Sequence, residues 1–227
     1  MTATRAGSPR GFYAIAHRAG NNLRHLEEAL EAGVDAIECD VWHARGRLSV
    51  RHERKLPGLP VIFDKWYLRF AWGHLSLPRL LREIDARAEL FLDIKSRSPR
   101  AADAVLDLYR EHVSMMPHTL ISSVQWRLLD RIGEAGTDME LFYSVGSQSG
   151  IESLLRRCAR ARPPAGTSIR QTLLSADAVA RLHGAGLRVF AWTVNTPHRA
   201  EELRSWGVDG IISDDLGVLN KDLASGV

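Results

Sequence analysis

Short apolar runs rich in β-branched residues alternate along the chain with segments of helical periodicity, almost to its end. Eight runs have the length and composition of buried strands. They cover residues 12–17, 36–41, 90–95, 119–124, 140–145, 167–172, 189–194 and 210–214. The alternation of strand and helix predicts a parallel sheet, and eight repeats within 227 residues predict an α/β fold closed as a TIM-type (β/α)8 barrel.

One segment interrupts this alternation. From Val41 to His52 the polar and apolar positions predict a β-hairpin extension after the second strand, with Arg45-Gly46 at the turn and no room for a helix. Counting back from the turn places His52 opposite Cys39. Residues 53–75 follow without clear periodicity, and their aromatic residues are consistent with either a lid or a second packing layer.

The length and composition are those of one globular domain. We expect a flexible N-terminus over 1–11, a single barrel over 12–219 and a C-terminal tail over 220–227. A net charge of +3 and a pI near 9.1 suit an anionic ligand, but without a dense Lys/Arg block they argue against nucleic-acid binding. Two cysteines, no signal-like segment and no membrane-length apolar run favour a cytoplasmic protein.

Glu38 and Asp40 are two carboxylates on one face of a predicted buried strand. They repel each other unless a cation or a proton lies between them. For such a pair taken alone, an acidic, solvent-facing edge strand is the favoured explanation. The barrel, however, places them with Asp93 at the C-terminal ends of neighbouring strands, where active sites of such barrels lie. Three carboxylates make an oxygen site suited to Mg²⁺ or Ca²⁺.

His17 and His52 lie on either side of this predicted metal site. Two imidazoles that titrate near neutrality suit acid/base cleavage of a phosphodiester, and Arg18 and Lys95 can neutralise the phosphate. Each residue alone has a structural explanation: a hydrogen-bonded histidine, or a lysine paired with a nearby carboxylate.

Taken together in chain order, these segments resemble the glycerophosphodiester phosphodiesterase family over about residues 12–216. The similarity rests on an ordered set of motifs, namely His17-Arg18, Glu38-x-Asp40, His52, Asp93-Ile94-Lys95, Val189 to Asn195 and Gly207 to Asp214.

The resemblance implies a TIM-type barrel that hydrolyses glycerophosphodiesters to glycerol phosphate and an alcohol with a divalent cation. It implies that two histidines serve as acid and base, that three carboxylates bind the metal, and that two basic residues and a tryptophan contact the substrate. The implied residues are His17 and His52; Glu38, Asp40 and Asp93; and Arg18, Lys95 and Trp192. Trp192 on its own is more often a core residue.

The chain departs from the family pattern twice. It lacks the Pro-Glu-Asn segment that usually follows His-Arg-Gly, and it has Asp93 where the family usually has Glu. In both respects the chain resembles the sphingomyelinase D and phospholipase D-like branch. This resemblance implies, as one alternative, a lysolipid substrate and a cyclic phosphate product. An inactive phosphate-binding barrel is another, and a different phosphate-handling barrel enzyme ranks last.

The aromatic residues of loop 63–72 favour a substrate with an acyl chain and give the chain a means of peripheral membrane contact. The head group, the choice between Mg²⁺ and Ca²⁺ and the oligomeric state stay open.

Overall fold

A computed structural model describes residues 11–52, 54–55, 61–64, 67–70 and 75–220. Its strands are β1 (Tyr13–Ala16), β2 (Ala36–Ala44), β3 (Arg47–Val50), β4 (Arg54–Lys55), β5 (Val61–Asp64), β6 (Tyr67–Phe70), β7 (Leu75–Ser76), β8 (Glu89–Ile94), β9 (Thr119–Ser123), β10 (Glu140–Val145), β11 (Gly166–Arg170), β12 (Arg188–Trp192) and β13 (Gly210–Ser213). Its α-helices are α1 (Leu23–Glu31), α2 (Leu77–Ile84), α3 (Arg100–Glu111), α4 (Trp126–Glu134), α5 (Gln148–Cys158), α6 (Ala176–Gly184), α7 (Pro197–Ser205) and α8 (Leu216–Leu219). Short 3-10 helices cover Ala19–Asn21, Val113–His118 and Gln171–Leu173.

The predicted barrel is confirmed. Strands β1, β2 and β8 to β13 pair in parallel, each with its neighbour in chain order. The ring closes because β1 pairs on one side with β13 and on the other with β2. In this described part of the chain the barrel therefore has eight strands, and the helices between them cover its outer face.

Large aromatic side chains fill the barrel interior below its C-terminal mouth. Phe142 stacks on Phe190 with ring centroids 4.5 Å apart, and Phe91 and Tyr13 pack around this pair. Gly166 makes room for them, because a Cβ atom there would lie 2.3 Å from the Phe142 ring. The lower barrel is thus a packed core, and the polar inward positions lie above it, towards the mouth.

Two aspartates tie neighbouring strands together at the N-terminal end of the barrel. Asp35 accepts a hydrogen bond from the Ala14 N–H at 2.8 Å, and Asp209 accepts one from the Val189 N–H at 2.7 Å. Each carboxylate precedes one strand and accepts from the backbone of a neighbouring strand, so both stabilise the barrel at the end away from the mouth.

The predicted hairpin is present. Strand β3 returns antiparallel to β2 with Ala44 opposite Arg47, and the Arg51 N–H donates to the Asp40 carbonyl at 2.9 Å. Residues 53–75 are not wholly irregular as predicted, since β4, β5 and β6 form a small antiparallel sheet. The lid and membrane predictions depend on the aromatic side chains of this stretch, which lie outside what the structure describes, and they stay predictions.

The division at 11/12 and 219/220 stays a prediction, because residues 1–10 and 221–227 lie outside the described ranges.

Candidate active site

A pocket opens at the C-terminal mouth of the barrel. Side chains alternate along a strand, so the positions that carry aromatic residues deeper in the barrel continue upward as polar residues. The pocket is lined by His17, Arg18, Glu38, Phe91, Asp93, Lys95, Val124, Ser144, Ser168, Trp192, Thr193 and Ile212. Six of the eight residues predicted for the site therefore line this pocket, and the two others, Asp40 and His52, are described separately.

Glu38, Asp40 and Asp93 form a compact carboxylate cluster. One oxygen from each lies within 4.8 Å of the others. Glu38 is 3% exposed and Asp40 is fully buried. Burial, followed by the nearby charge of Asp40, raises the pKa of Glu38 well above its usual value, and burial likewise raises the pKa of Asp93. The cluster is electrostatically costly without cations.

Lys95 provides part of the compensating charge. Its ammonium contacts Asp93 Oδ2 and lies 2.9 Å from Asp40 Oδ1. Burial alone would lower the pKa of Lys95, but Asp93, Asp40 and Glu38 together raise it above its usual value. The lysine is therefore charged throughout the physiological pH range.

The carboxylate cluster fits a divalent cation. Asp40 Oδ1 and Asp93 Oδ1 are buried and make no hydrogen bond to the described residues, since the Lys95 ammonium near Asp40 Oδ1 lies outside hydrogen-bonding geometry. Buried carboxylate oxygens without donors are unusual. Oxygen atoms of this kind are the ligands that Mg²⁺ and Ca²⁺ prefer.

The loop after β1 makes hydrogen bonds to two carboxylates of the cluster. The Arg18 N–H donates to Glu38 Oε2 at 2.6 Å, with Arg18 in the left-handed region at φ 56°. Asn21 makes two hydrogen bonds to Asp40: its Nδ2 donates to Oδ2 at 2.8 Å and its Oδ1 accepts from the backbone N–H at 2.9 Å. Sequence reasoning missed Asn21, although it lies where the family's Pro-Glu-Asn segment is lacking.

His17 lies at the end of β1 and is held by a carboxylate. Its Nδ1 is 2.6 Å from Asp214 Oδ1, and Asp214 Oδ2 accepts a hydrogen bond from Asn195 Nδ2 at 2.9 Å. Burial and then Arg18 lower the pKa of His17, and the opposing effects of Asp214 and Asp40 leave it below its usual value. His17 is therefore neutral at pH 7.

His52 follows β3 and is exposed. The hydrogen bond from Arg51 to the Asp40 backbone brings this part of the chain beside β2, as the hairpin register predicted. The described lining of the pocket includes His17 but not His52. Its predicted role as the second catalytic histidine stays a prediction.

Trp192 lines the pocket at the end of β12 and is half-buried. The guanidinium of Arg170 lies 5.5 Å from the centre of its ring. Gly146 lies next to this pair, since a Cβ atom there would be in ordinary van der Waals contact with both side chains, at 4.0 Å. Trp192 thus packs against the aromatic core of the barrel on one side and lines the pocket on the other.

A TIM barrel with buried carboxylates, cations and a histidine at its mouth has the arrangement of an enzyme, and these groups suit metal-assisted chemistry on phosphate esters. The chain matches the model of the Glycerophosphoryl diester phosphodiesterase family over residues 94–218, more than half of its length, and it belongs to this family. Enzymes of the family are phosphoric diester hydrolases and generally depend on a divalent metal. The matched segment includes Lys95, Trp192 and Asp214, and it begins after Asp93.

Individual relatives agree with this assignment. The chain is 23% identical to YhdW of Bacillus subtilis (strain 168), which is provisionally assigned as a glycerophosphodiester phosphodiesterase, over 93% of this chain and 98% of that protein. The glycerophosphodiester phosphodiesterase of Thermotoga maritima has the same fold, with a TM-score of 0.72, 20% identity and coverage of 91% and 96%. A phosphodiesterase from Oleispira antarctica, solved with its product sn-glycerol-3-phosphate, has a TM-score of 0.70 at 20% identity, with coverage of 93% and 94%.

None of the helices in the described ranges is both long enough and apolar enough to cross a membrane.

Proposed function

We propose that this protein is a divalent-metal-dependent phosphodiesterase that hydrolyses glycerophosphodiesters to glycerol phosphate and an alcohol. The carrying observation is the pocket at the barrel mouth, where three clustered carboxylates, two basic residues and His17 converge in a member of this family. The sn-glycerol-3-phosphate bound to the Oleispira antarctica relative supports glycerophosphate as the common part of the substrate.

Glu38, Asp40 and Asp93 would hold Mg²⁺ or Ca²⁺. When bound, the cation supplies positive charge that polarises the phosphoryl group. Arg18 and Lys95 bind the phosphate oxygens and neutralise the charge that develops on them during displacement. Trp192 forms the wall along which the organic part of the substrate lies.

His17 and His52 divide the proton transfers between them. His17 is neutral and lies in the pocket, so it accepts the proton of the attacking hydroxyl or water. His52 then protonates the departing oxygen. If the attacking hydroxyl belongs to the substrate itself, the same groups give a cyclic phosphate, which is the sphingomyelinase D-like alternative.

The test is phosphorus NMR of product mixtures from glycerophosphocholine, glycerophosphoglycerol and lysophosphatidylcholine. We expect glycerol phosphate from the first two, no reaction after chelation, and recovery with added Mg²⁺ or Ca²⁺. His17→Ala and His52→Ala are each expected to lose roughly 100-fold or more of kcat.

His183→Ala is the matched control, because His183 contacts Asp209 at the far end of the barrel, 2.9 Å away. It should keep the wild-type kcat. Full activity in both active-site histidine variants would overturn the mechanism, a cyclic phosphate would select the alternative, and no turnover of any diester would indicate an inactive binding protein.

A further inference from the structure

His17 is linked to two residues from different strand ends that have no role in the function proposed above. Asp214 follows β13 and contacts His17 Nδ1, and Asn195 follows β12 and donates to Asp214. Asp214 does not belong to the carboxylate cluster of Glu38, Asp40 and Asp93. Its task is therefore separate from cation binding.

The contact between Asp214 and His17 fixes where the histidine carries its proton. An ionised carboxylate only accepts hydrogen bonds, so Nδ1 must be the protonated nitrogen of the neutral ring. Nε2 then has its lone pair free and is the atom that can accept a proton. Without such a partner, either nitrogen can carry the hydrogen.

The orientation of Asn195 follows from a backbone group. Its Oδ1 accepts hydrogen bonds from the Asp214 N–H at 3.0 Å and from Ser213 Oγ at 3.1 Å. A backbone N–H can only donate, so the amide oxygen must face it and the amide nitrogen must face the Asp214 carboxylate. Asn195 thus holds Asp214 at both its backbone and its side chain.

The charges around His17 come from three elements. Arg18 is its chain neighbour, Asp214 lies at the end of β13, and Asp40 lies on β2. Asp214 is half-exposed; burial acts to raise its pKa, but the hydrogen bond from Asn195 and the nearby His17 lower it overall. Asp214 is therefore ionised at neutral pH and able to accept from His17.

We propose that Asp214 and Asn195 are positioning residues that hold neutral His17 in its Nδ1–H form, with Nε2 available to the substrate. This rests on the proposed function of His17. In the step that it prepares, the O–H bond of the attacking hydroxyl breaks, its proton bonds to Nε2, and the oxygen electron pair forms the new bond to phosphorus. The bond from phosphorus to the departing oxygen breaks in turn, and that oxygen keeps the electron pair and takes a proton from His52. The resulting imidazolium lies against the Asp214 carboxylate, which stabilises it.

The decisive measurement is the tautomer of His17, read from long-range ¹H–¹⁵N NMR spectra of the metal-free protein above pH 7. The protein has nine histidines, and the His17 signals are assigned by their loss in His17→Gln. We expect Nδ1–H in the wild type. Asp214→Asn and Asn195→Ala should each shift the population towards Nε2–H, Asp214→Asn more strongly.

Kinetics supply the second readout. Asp214→Asn should lower kcat by roughly 100-fold or more, by analogy with the effect of a wrong histidine tautomer in other enzymes, with little change in KM. Asp209→Asn makes the same change in the His183–Asp209 pair at the other end of the barrel and should alter neither the His17 tautomer nor kcat.

An unchanged His17 tautomer in Asp214→Asn would overturn the inference, whatever the activity. The NMR result does not depend on turnover, so failure of the proposed function would appear separately, as a wild-type protein with the expected tautomer and no diesterase activity.

Discussion

Glu38 has its carboxyl group in a place that disfavours the charged form. It is buried on β2 beside Asp40 and Asp93, and the cations near it are Lys95 and Arg18. Burying ionised groups costs free energy unless they are paired. The metal-free protein therefore retains an unfavourable electrostatic term in its site, which binding of a divalent cation relieves.

Glu38→Gln should raise the melting temperature of the metal-free protein at pH 7. Because the folded-state pKa of Glu38 is raised, the native state resists its ionisation, and the wild type loses stability as the pH rises above the ordinary glutamate value of about 4.3. The variant avoids this loss, and each kcal/mol gained corresponds to about 2–4 °C. Calorimetry at pH 5 and pH 7 measures the difference, which should be larger at pH 7.

The same variant should lose the stabilisation that Mg²⁺ or Ca²⁺ gives to the wild type. Glu27→Gln is the control, since Glu27 pairs with Arg87 on the surface and its loss should change the melting temperature little. A Glu38→Gln protein that melts lower than wild type, or that still responds fully to the cation, would contradict this view of the cluster.

His17 should determine how catalytic activity falls at acidic pH. Burial and the Arg18 charge lower its pKa below 6.5, so the neutral, proton-accepting form persists into mildly acidic solution. The acid limb of kcat/KM should therefore fall at a pH below 6.5, as the pH drops through the lowered pKa. Initial rates across pH 4.5–8 test this, and an acid limb above 6.5 would contradict it.

The loop between β1 and α1 shows how local backbone structure sets the site. After His17 the chain turns through Arg18 into a 3-10 helix that lies against β2. This approach requires Gly20, because a Cβ atom there would lie 2.7 Å from the Cys39 Cβ and 3.2 Å from the Glu38 carbonyl oxygen. The hydrogen bonds that this loop makes to Glu38 and Asp40 depend on that close approach.

Gly20→Ala should therefore destabilise the protein by about 1–3 kcal/mol, as overpacking does, and weaken cation binding as well. Gly184→Ala is the control: Gly184 is the last residue of α6 and has open space where its Cβ would be, so alanine should be neutral or slightly stabilising. Urea unfolding and cation titrations compare the two. Equal stability in both variants would show that the loop does not need its close contact with β2.

Elements with a regular pattern were predictable, and those without one were not. The eight barrel strands and the β2–β3 hairpin follow from alternation and from Arg45-Gly46, and they are present. Strands β4 to β6 were missed because residues 53–75 carry no clear periodicity. Strand boundaries differ from the predicted ones by at most three residues, as where the predicted strand 167–172 ends at Arg170 and continues as a 3-10 helix.

Some residues of the candidate site were predictable from the sequence, and others were not. Two acids on a buried strand are an anomaly that sequence reasoning can detect, so Glu38 and Asp40 were recognisable as a pair. Asn21 and the link from His17 to Asp214 were not, because they depend on side chains that meet across the mouth, in the latter case 197 residues apart. The available signal was that Asp214, like Asn195, is a polar residue at a strand end.

The two ends of the barrel have different roles. The C-terminal mouth concentrates groups that are costly to bury, whereas the N-terminal end holds contacts that fasten strands to one another. Arg188, the first residue of β12, shows the second kind: its guanidinium lies 5.0 Å from the centre of the Phe142 ring and pairs with Glu140. Stability and chemistry should therefore be separable by substitution.

Arg188→Met should lower the melting temperature while leaving kcat/KM within about twofold of wild type. Methionine keeps much of the apolar stem but loses the cation–π contacts and the ion pair, a cost of about 1–2 kcal/mol, or roughly 2–8 °C. Arg18→Met makes the same change at the mouth, where the guanidinium Nε lies 3.8 Å from Asp40 Oδ2. It should lower kcat/KM by more than tenfold, because the phosphate of the substrate loses the positively charged guanidinium of Arg18. The effect on the melting temperature should be smaller. If both variants lost activity equally, the barrel would not separate the two functions between its ends, and the core of aromatic rings would have to transmit strain from Arg188 to the pocket above it.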